Sequence, residues 1–414
     1  MLKISTHKTY LSLILLALIS ISIFEINYLL LIITFFIYYS KISKDLVVIV
    51  LFLASIVVLA CISSLFNNYV VYDWIKDLAY FTRPIAAILA GYLVSKKINN
   101  FKSILKIIVG VSFVFAVIHI LKVLFLVDFS NASVSNIRNV AGISNQIEIF
   151  SLVILLISKK YKELEIINNK LYKRIILIVF FISFSLYFSR TMIVALVIFL
   201  LASYSYLIIT KKAIKYGLLI LVSFSLFYAY LFSREFERDK PGIESFLYKM
   251  KVAPAEIFLP VKSIDIKDHA KLWDRWRAYE ASMAINQMNT FSSFAIGKGF
   301  GALVDLKFYA PLGSENMRYI PILHNGYVTI FFKTGVFGLL FYLVFLVALY
   351  LYSYKKASFI QKRVIYNLIG GIAVYYVFTT LIITGIYNVM DIYTFILGIL
   401  LYFSIDVEKK LEVE

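Results

Sequence analysis

Long apolar runs separated by short polar breaks fill the chain from its first dozen residues onward. A stretch of about 17–25 mostly apolar residues is enough to cross a bilayer as a helix. Tyr10–Phe24 and Ile26–Tyr39 follow one another almost without a break, which predicts a tight hairpin of two helices. Lys3 and Lys8 precede the first run as in a signal peptide, but no small-residue cleavage site follows it. Further spans are predicted at about Leu46–Leu65, Trp74–Val94, Ile104–Val127, Val140–Ile157, Ile175–Phe188, Met192–Ile209, Ile214–Phe232, Tyr327–Tyr352, Val364–Thr384 and Val389–Phe403. The pattern therefore predicts an all-α membrane protein of about 12 transmembrane helices. One long, partly helical extracytoplasmic loop separates the ninth from the tenth. Residues 1–232 carry helices 1–9, residues 233–321 the loop, and residues 322–414 helices 10–12.

Charge orients this array. Lys and Arg concentrate in short cytoplasmic loops, and here they fill alternate connections: Lys41/Lys44, Lys96/Lys97/Lys102, Lys159/Lys160/Lys173/Arg174, Lys211/Lys212/Lys215, Lys355/Lys356/Lys362/Arg363 and Lys409/Lys410. The intervening connections are poor in Lys, so both termini are expected in the cytoplasm and the long loop outside. Within that loop, Asp268–Met288 has helical character, with Trp273, Trp276, Arg277, Tyr279 and Met283 along an interfacial helix. Gly297, Gly299 and Gly301 are read as a simple turn, because a Gly-x-Gly with no preceding strand is no dinucleotide fingerprint.

Composition supports the class. Hydrophobic residues make up 61% of the 414 and the mean hydropathy is +0.86, against about 45–50% apolar residues in soluble domains. The formal charge of +18 falls in clusters between apolar segments, which argues for topology signals rather than a nucleic-acid surface. The one cysteine, Cys61, lies in an apolar run and has no partner within the chain.

The stretch with most chemical content is Ile322–Gly338. His324-Asn325 is followed by nine residues and then Gly335-x-x-Gly338. At about 100° per residue, His324 and Gly335 return to nearly the same helix face. Small residues there predict close approach of a neighbouring backbone. Asn325 is a predicted N-cap, and the free N–H groups of a helix start hold anions.

His-Asn-x9-Gly-x-x-Gly, together with Ser189-Arg190-Thr191 and the stretch from Arg275 to Gly301, resembles the O-antigen polymerase and O-antigen ligase superfamily. The resemblance implies a glycosyltransferase of the bacterial cytoplasmic (inner) membrane with its site on the outer face. Its donor would be an undecaprenyl-diphosphate-linked oligosaccharide. The acceptor would be a lipid-linked repeat unit for a polymerase or lipid A-core for a ligase, and a chain-length regulator is a possible partner. It also implies diphosphate-binding roles for Arg190 and Arg275. Arg275 has an aromatic, Tyr279, four residues on, and Arg277 competes for the same slot. The His-Asn-Gly-Tyr-Val start favours the polymerase.

Other polar residues are more ambiguous. Arg83, inside the fourth span, must face protein or water, and either an ion pair or a lipid phosphate would satisfy it; Lys333 raises the same question. Arg138, His119, Lys122 and Glu148 are read as polar packing residues, and Asp265, Asp268 and His269 as a solvated acidic turn without metal-ligand spacing. The first outer loop offers essentially Glu25 alone, so no paired carboxylates stand ready for a metal. The site expected is thus His324 as general base, with Arg190 and Arg275 on the diphosphate and Asn325, Arg277, Arg83 and Tyr279 contacting substrate, without metal or cofactor. A transporter or flippase is the rival of another class. Against it, no internal two-fold repeat is evident and the distinctive polar residues gather at the outer face.

Overall fold

The structure is a computed structural model and describes residues 6–21, 23–127, 137, 145–187, 189–238, 240, 243–258, 273–312 and 315–411. Arg138, residues 140–144, Asp265, Asp268 and His269 lie outside the described residues. The first five helices are α1 (Thr6–Ile21), α2 (Phe24–Ile37), α3 (Lys44–Ser64), α4 (Val71–Ile98) and α5 (Phe101–Leu126). Then come α6 (Asn145–Ile157), α7 (Lys170–Tyr187), α8 (Arg190–Ser203), α9 (Lys211–Ser233), α10 (Ile243–Phe258), α11 (Trp276–Asn286) and α12 (Phe291–Ile296). The chain continues through a hairpin of β1 (Val304–Leu312) and β2 (Glu315–Ile320) into α13 (Gly326–Tyr350), α14 (Ile360–Ile382) and α15 (Tyr393–Leu411).

This is an all-α membrane protein. Among the described residues, α3, α4, α5, α9, α13 with its extension to Tyr354, and α14 are long and apolar enough to cross a bilayer; α2, α6, α8 and residues 393–405 of α15 are shorter apolar helices. Helix α9 shows the lipid-facing extreme, since Leu231 is its one buried side chain. A helix apolar on all sides belongs in lipid.

The bundle centre is α4 against α15. Gly91 and Gly398 let the two backbones touch: a Cβ on either would overlap the other helix's carbonyls. Without a hydrophobic drive between helices in lipid, this close packing is what associates them. Arg83 of α4 is 1% exposed and donates to Asn27 Oδ1 of α2 at 2.9 Å, to the Asn388 carbonyl at 3.3 Å and to the Asp391 carbonyl at 2.9 Å. Its guanidinium thus joins α2, α4 and the connection between α14 and α15.

Above the bundle sits a small second core. Trp276, Tyr279, Met283 and Ala284 of α11 pack on Val304, Leu306 and Ala310 of β1 and on Leu323 and Phe332 around the start of α13. The hairpin is antiparallel from Val304 opposite Ile320 to Leu312 opposite Glu315, with a bulge between Asp305 and Ala310. The sequence pattern predicts only helix and turn in this loop, and the structure adds the hairpin. The strand signal was nevertheless present, because Val304, Leu306 and Ala310 are buried on one face while Lys307 points out.

Candidate active site

His324 sits in the short link between β2 and α13, with its side chain half exposed. Both of its nitrogens nearest the chain are held by one residue, Glu280 of α11: the backbone N–H donates to Oε2 at 2.8 Å and Nδ1 lies 2.6 Å from Oε1. Glu280 is 1% exposed, so the carboxylate lies beneath the ring and the ring faces outward. A carboxylate accepts, so the neutral ring that suits this contact carries its proton on Nδ1 and has its lone pair on Nε2. The carboxylate holds the imidazole in one orientation, the geometry of the third member of a catalytic triad.

Glu280 is the residue that the motif reading left out. Trp276, Tyr279, Glu280, Met283 and Ala284 form the buried face of α11 at helical spacing. A carboxylate in the middle of an apolar helix face needs a partner. That misfit is the signal that could have found it. Tyr279, expected to contact substrate, lies on the same buried face and donates its hydroxyl to the Leu306 carbonyl at 2.6 Å.

The next two residues fix the helix behind the histidine. Asn325 Oδ1 accepts the Val328 N–H at 3.2 Å, the predicted cap. Gly326 donates to the Ile383 carbonyl at 2.9 Å and packs against Thr384. The start of α13 is therefore pinned to the end of α14.

The Gly-x-x-Gly element works differently from the expected continuous face. At Gly335 (φ 64°, ψ −164°) α13 breaks, so the small residues do not line up under His324 on one straight helix. Into the break docks the segment Gly297-Lys298-Gly299-Phe300-Gly301: Lys298 N donates to the Phe332 carbonyl and Gly299 N to the Lys333 carbonyl, both at 2.9 Å. A Cβ at Gly335 would overlap the Ala295 backbone, and one at Gly297 would overlap Lys333. The three glycines of the segment all have positive φ (79°, 84° and 85°), which is natural for glycine and strained for other residues. Ser63 Oγ donates to the Gly297 carbonyl at 2.6 Å, Tyr69 Oη to the Lys298 carbonyl at 2.8 Å, and Phe300 N to Ser64 Oγ at 2.8 Å. The segment turns as expected, and its bonds also make it a strap that sews the loop into α3, α4 and α13.

One ion pair closes the seam. Asp77 of α4 bonds Lys333 Nζ and accepts the Gly301 N–H at 2.7 Å, while Lys333 also donates to the Ala302 carbonyl at 2.5 Å. Both side chains are buried, so Lys333 has a protein partner.

The arginines spread around this centre. Arg275 is exposed at the N-cap of α11, about 7–8 Å along the axis from Glu280 at 1.5 Å per residue. Arg277 pairs with Glu256 of α10 at 3.5 Å, and Arg190, the first residue of α8, donates to the Lys249 carbonyl of α10 at 2.7 Å. Pro254 within α10 leaves the Met250 carbonyl without its helical donor, and Tyr228 of α9 supplies one at 3.1 Å. Tyr248 binds Asp274 at 2.6 Å. Helix α10 is thus held down by α8, α9 and the start of α11, bringing two of the expected arginines to one element. Arg83 stands apart, among the protein groups described above.

Residues 175–343 match the family model described as O-antigen ligase, a segment that includes Arg190, Arg275, Glu280 and His324. No curated protein and no solved structure shows significant similarity to the chain.

Proposed function

We propose that this chain, whose residues 175–343 are similar to the O-antigen ligase family, is a polysaccharide polymerase of that kind. It moves undecaprenyl-diphosphate-linked glycan onto the sugar hydroxyl of another lipid-linked repeat unit. The observation that carries this reading is His324 Nδ1 on the buried Glu280 carboxylate at 2.6 Å, beside a half-exposed ring. His324 Nε2 takes the acceptor hydroxyl's proton as the oxygen attacks the anomeric carbon. The bond from that carbon to the phosphate oxygen breaks, and undecaprenyl diphosphate leaves with the electron pair. A single displacement inverts the anomeric centre. Arg190 and Arg275 stabilise the charge that gathers on the diphosphate, without a metal. These groups act from the outer face of the cytoplasmic membrane: Arg275 lies in the loop of residues 233–321, Arg190 at the start of α8 and His324 just past the loop's end.

The test is transfer by the purified full chain from a lipid-diphosphate-linked repeat unit. His324→Ala should abolish it at unchanged abundance, and Arg190→Lys or Arg275→Lys, which keep charge but lose the two-pronged guanidinium, should each lose most of it. Normal turnover by His324→Ala would remove the base. The match to the O-antigen ligase family favours a second reading, a ligase acting on lipid A-core. A deletion strain separates the two. Cores bearing a single repeat unit mean a polymerase, whereas long glycan stranded on undecaprenyl diphosphate with bare cores means a ligase.

A further inference from the structure

A crevice of about 650 Å³ lies on the bundle away from His324's own wall, within the size range of ligand pockets and too small for a whole undecaprenyl chain. The ends of α1, α5, α6 and α8 meet there with the connection from α14 to α15. Phe115 and Ile118 of α5, Met192 of α8 and Met390 make its wall apolar. Asn145, Ser189, Thr191 and Asn388 add hydroxyl and amide groups. Ser189 and Thr191 flank Arg190 in sequence, and Ile383, also in the lining, is the residue whose carbonyl pins Gly326 at the start of α13. The crevice therefore opens at the end of the bundle that carries both Arg190 and His324.

Its one cation is Lys122, which forms no ion pair among the described residues. The acidic group of this corner is already engaged. Glu148 accepts from Ser183 at 2.6 Å and from Tyr187 at 3.5 Å, and Ser183 in turn contacts His119 Nδ1 at 2.9 Å. An ammonium beside an apolar wall, with no carboxylate paired to it among the described residues, fits an anion attached to a hydrocarbon stem.

We propose that this crevice seats the phosphate end of an isoprenoid diphosphate, with Lys122 as a phosphate contact and Phe115, Ile118, Met192 and Met390 against the first isoprene units. The proposal rests on the donor class of the proposed function and adds a place and a specificity-determining residue to it. Recognition is then split: Lys122 reads the lipid phosphate, while Arg190 and Arg275 serve the bond being broken.

The probe is a short isoprenyl diphosphate carrying a benzophenone, with the matching alcohol as control, applied to the full chain in detergent. The diphosphate probe should label α5 and residues 383–390, undecaprenyl diphosphate should compete, and the alcohol should label weakly. Lys122→Glu should cut labelling about tenfold or more, a factor equal to one power of ten in affinity, while Lys122→Arg keeps it. With the lipid donor, Lys122→Ala should raise KM and leave kcat nearly unchanged. Labelling elsewhere, equal labelling by the alcohol, insensitivity to Lys122→Glu, or equal competition by phosphatidylglycerol vesicles would each overturn the proposal. His324→Ala should label like the wild type, so active His324→Ala sinks the base while leaving this binding result standing.

Discussion

A carboxylate that holds both the backbone and the ring of one histidine sets where its free nitrogen points and which tautomer it adopts. Glu280→Gln keeps size and hydrogen bonding, but its amide can donate as well as accept, so the tautomer is no longer fixed. Turnover should fall on the order of 10²–10⁴-fold, the usual contribution of general base catalysis. The measurement is kcat against pH, with the folded fraction monitored in parallel; an unchanged profile would leave Glu280 a packing residue. The hairpin residue Asp305 makes a pH prediction of opposite character. Arg318 grips its carboxylate at 2.8 and 3.1 Å and Lys307 adds a bond at 2.8 Å, which holds its pKa well below the usual carboxylate range, Arg318 being the main cause. A depressed acid stabilises the fold above its unfolded pKa, and that stabilisation is lost as pH falls through the folded value. Hydrogen exchange over residues 304–320 should therefore stay slow through ordinary carboxylate titration and rise only in stronger acid, whereas Asp305→Asn should exchange faster already at neutral pH.

At the scale of elements, the strap and the broken helix depend on each other. Gly335→Ala adds a Cβ at positive φ against the Ala295 backbone, so backbone strain of order 1–3 kcal/mol combines with a steric overlap. A lowered melting temperature in detergent, together with loss of transfer, is the expected result. The Asp77–Lys333 pair gives a sharper test of the same seam. Lys333→Met strands a buried carboxylate and should destabilise by about 3–5 kcal/mol, while Lys333→Met combined with Asp77→Leu should recover much of that. Equal loss in single and double variants would mean that the pair contributes shape alone. The all-α membrane class was legible in the sequence because apolar length is a property of each segment by itself. Asn325's capping role was legible for the same reason. The strap was not, since Gly297-x-Gly299-x-Gly301 makes sense only beside the break at Gly335, thirty-odd residues on, and neither partner announces the other.

At the scale of the molecule, the site is assembled from the loop and the bundle together. His324, Asn325 and Arg190 stood out as motif residues, but Glu280 needed the buried face of α11, and the fate of Arg277 needed α10 against it. Arg83 shows the limit from the other side: charge inside an apolar span is visible in sequence, and its three acceptors come from segments as far away as Asp391. Cutting the chain's hold on α10 should loosen both arginine contacts at once. Tyr248→Phe with Arg238→Ala removes the tethers to Asp274, and limited proteolysis within α10 is expected to accelerate while the spans stay protected.

The seam between Asp77 and Lys333 also has a history in time. Their positions lie 256 residues apart, and a ribosome makes chain at about 5–20 residues per second. For the interval in which α4 is made and α13 is not, Asp77 has no ammonium to meet, and an unpaired charge in an apolar helix is costly. Nascent α4 must wait at the membrane's edge or against the translocation machinery until α13 arrives. Translation stalled ahead of Lys333 should leave a species that quality-control proteases remove quickly, and one stalled just beyond it should persist.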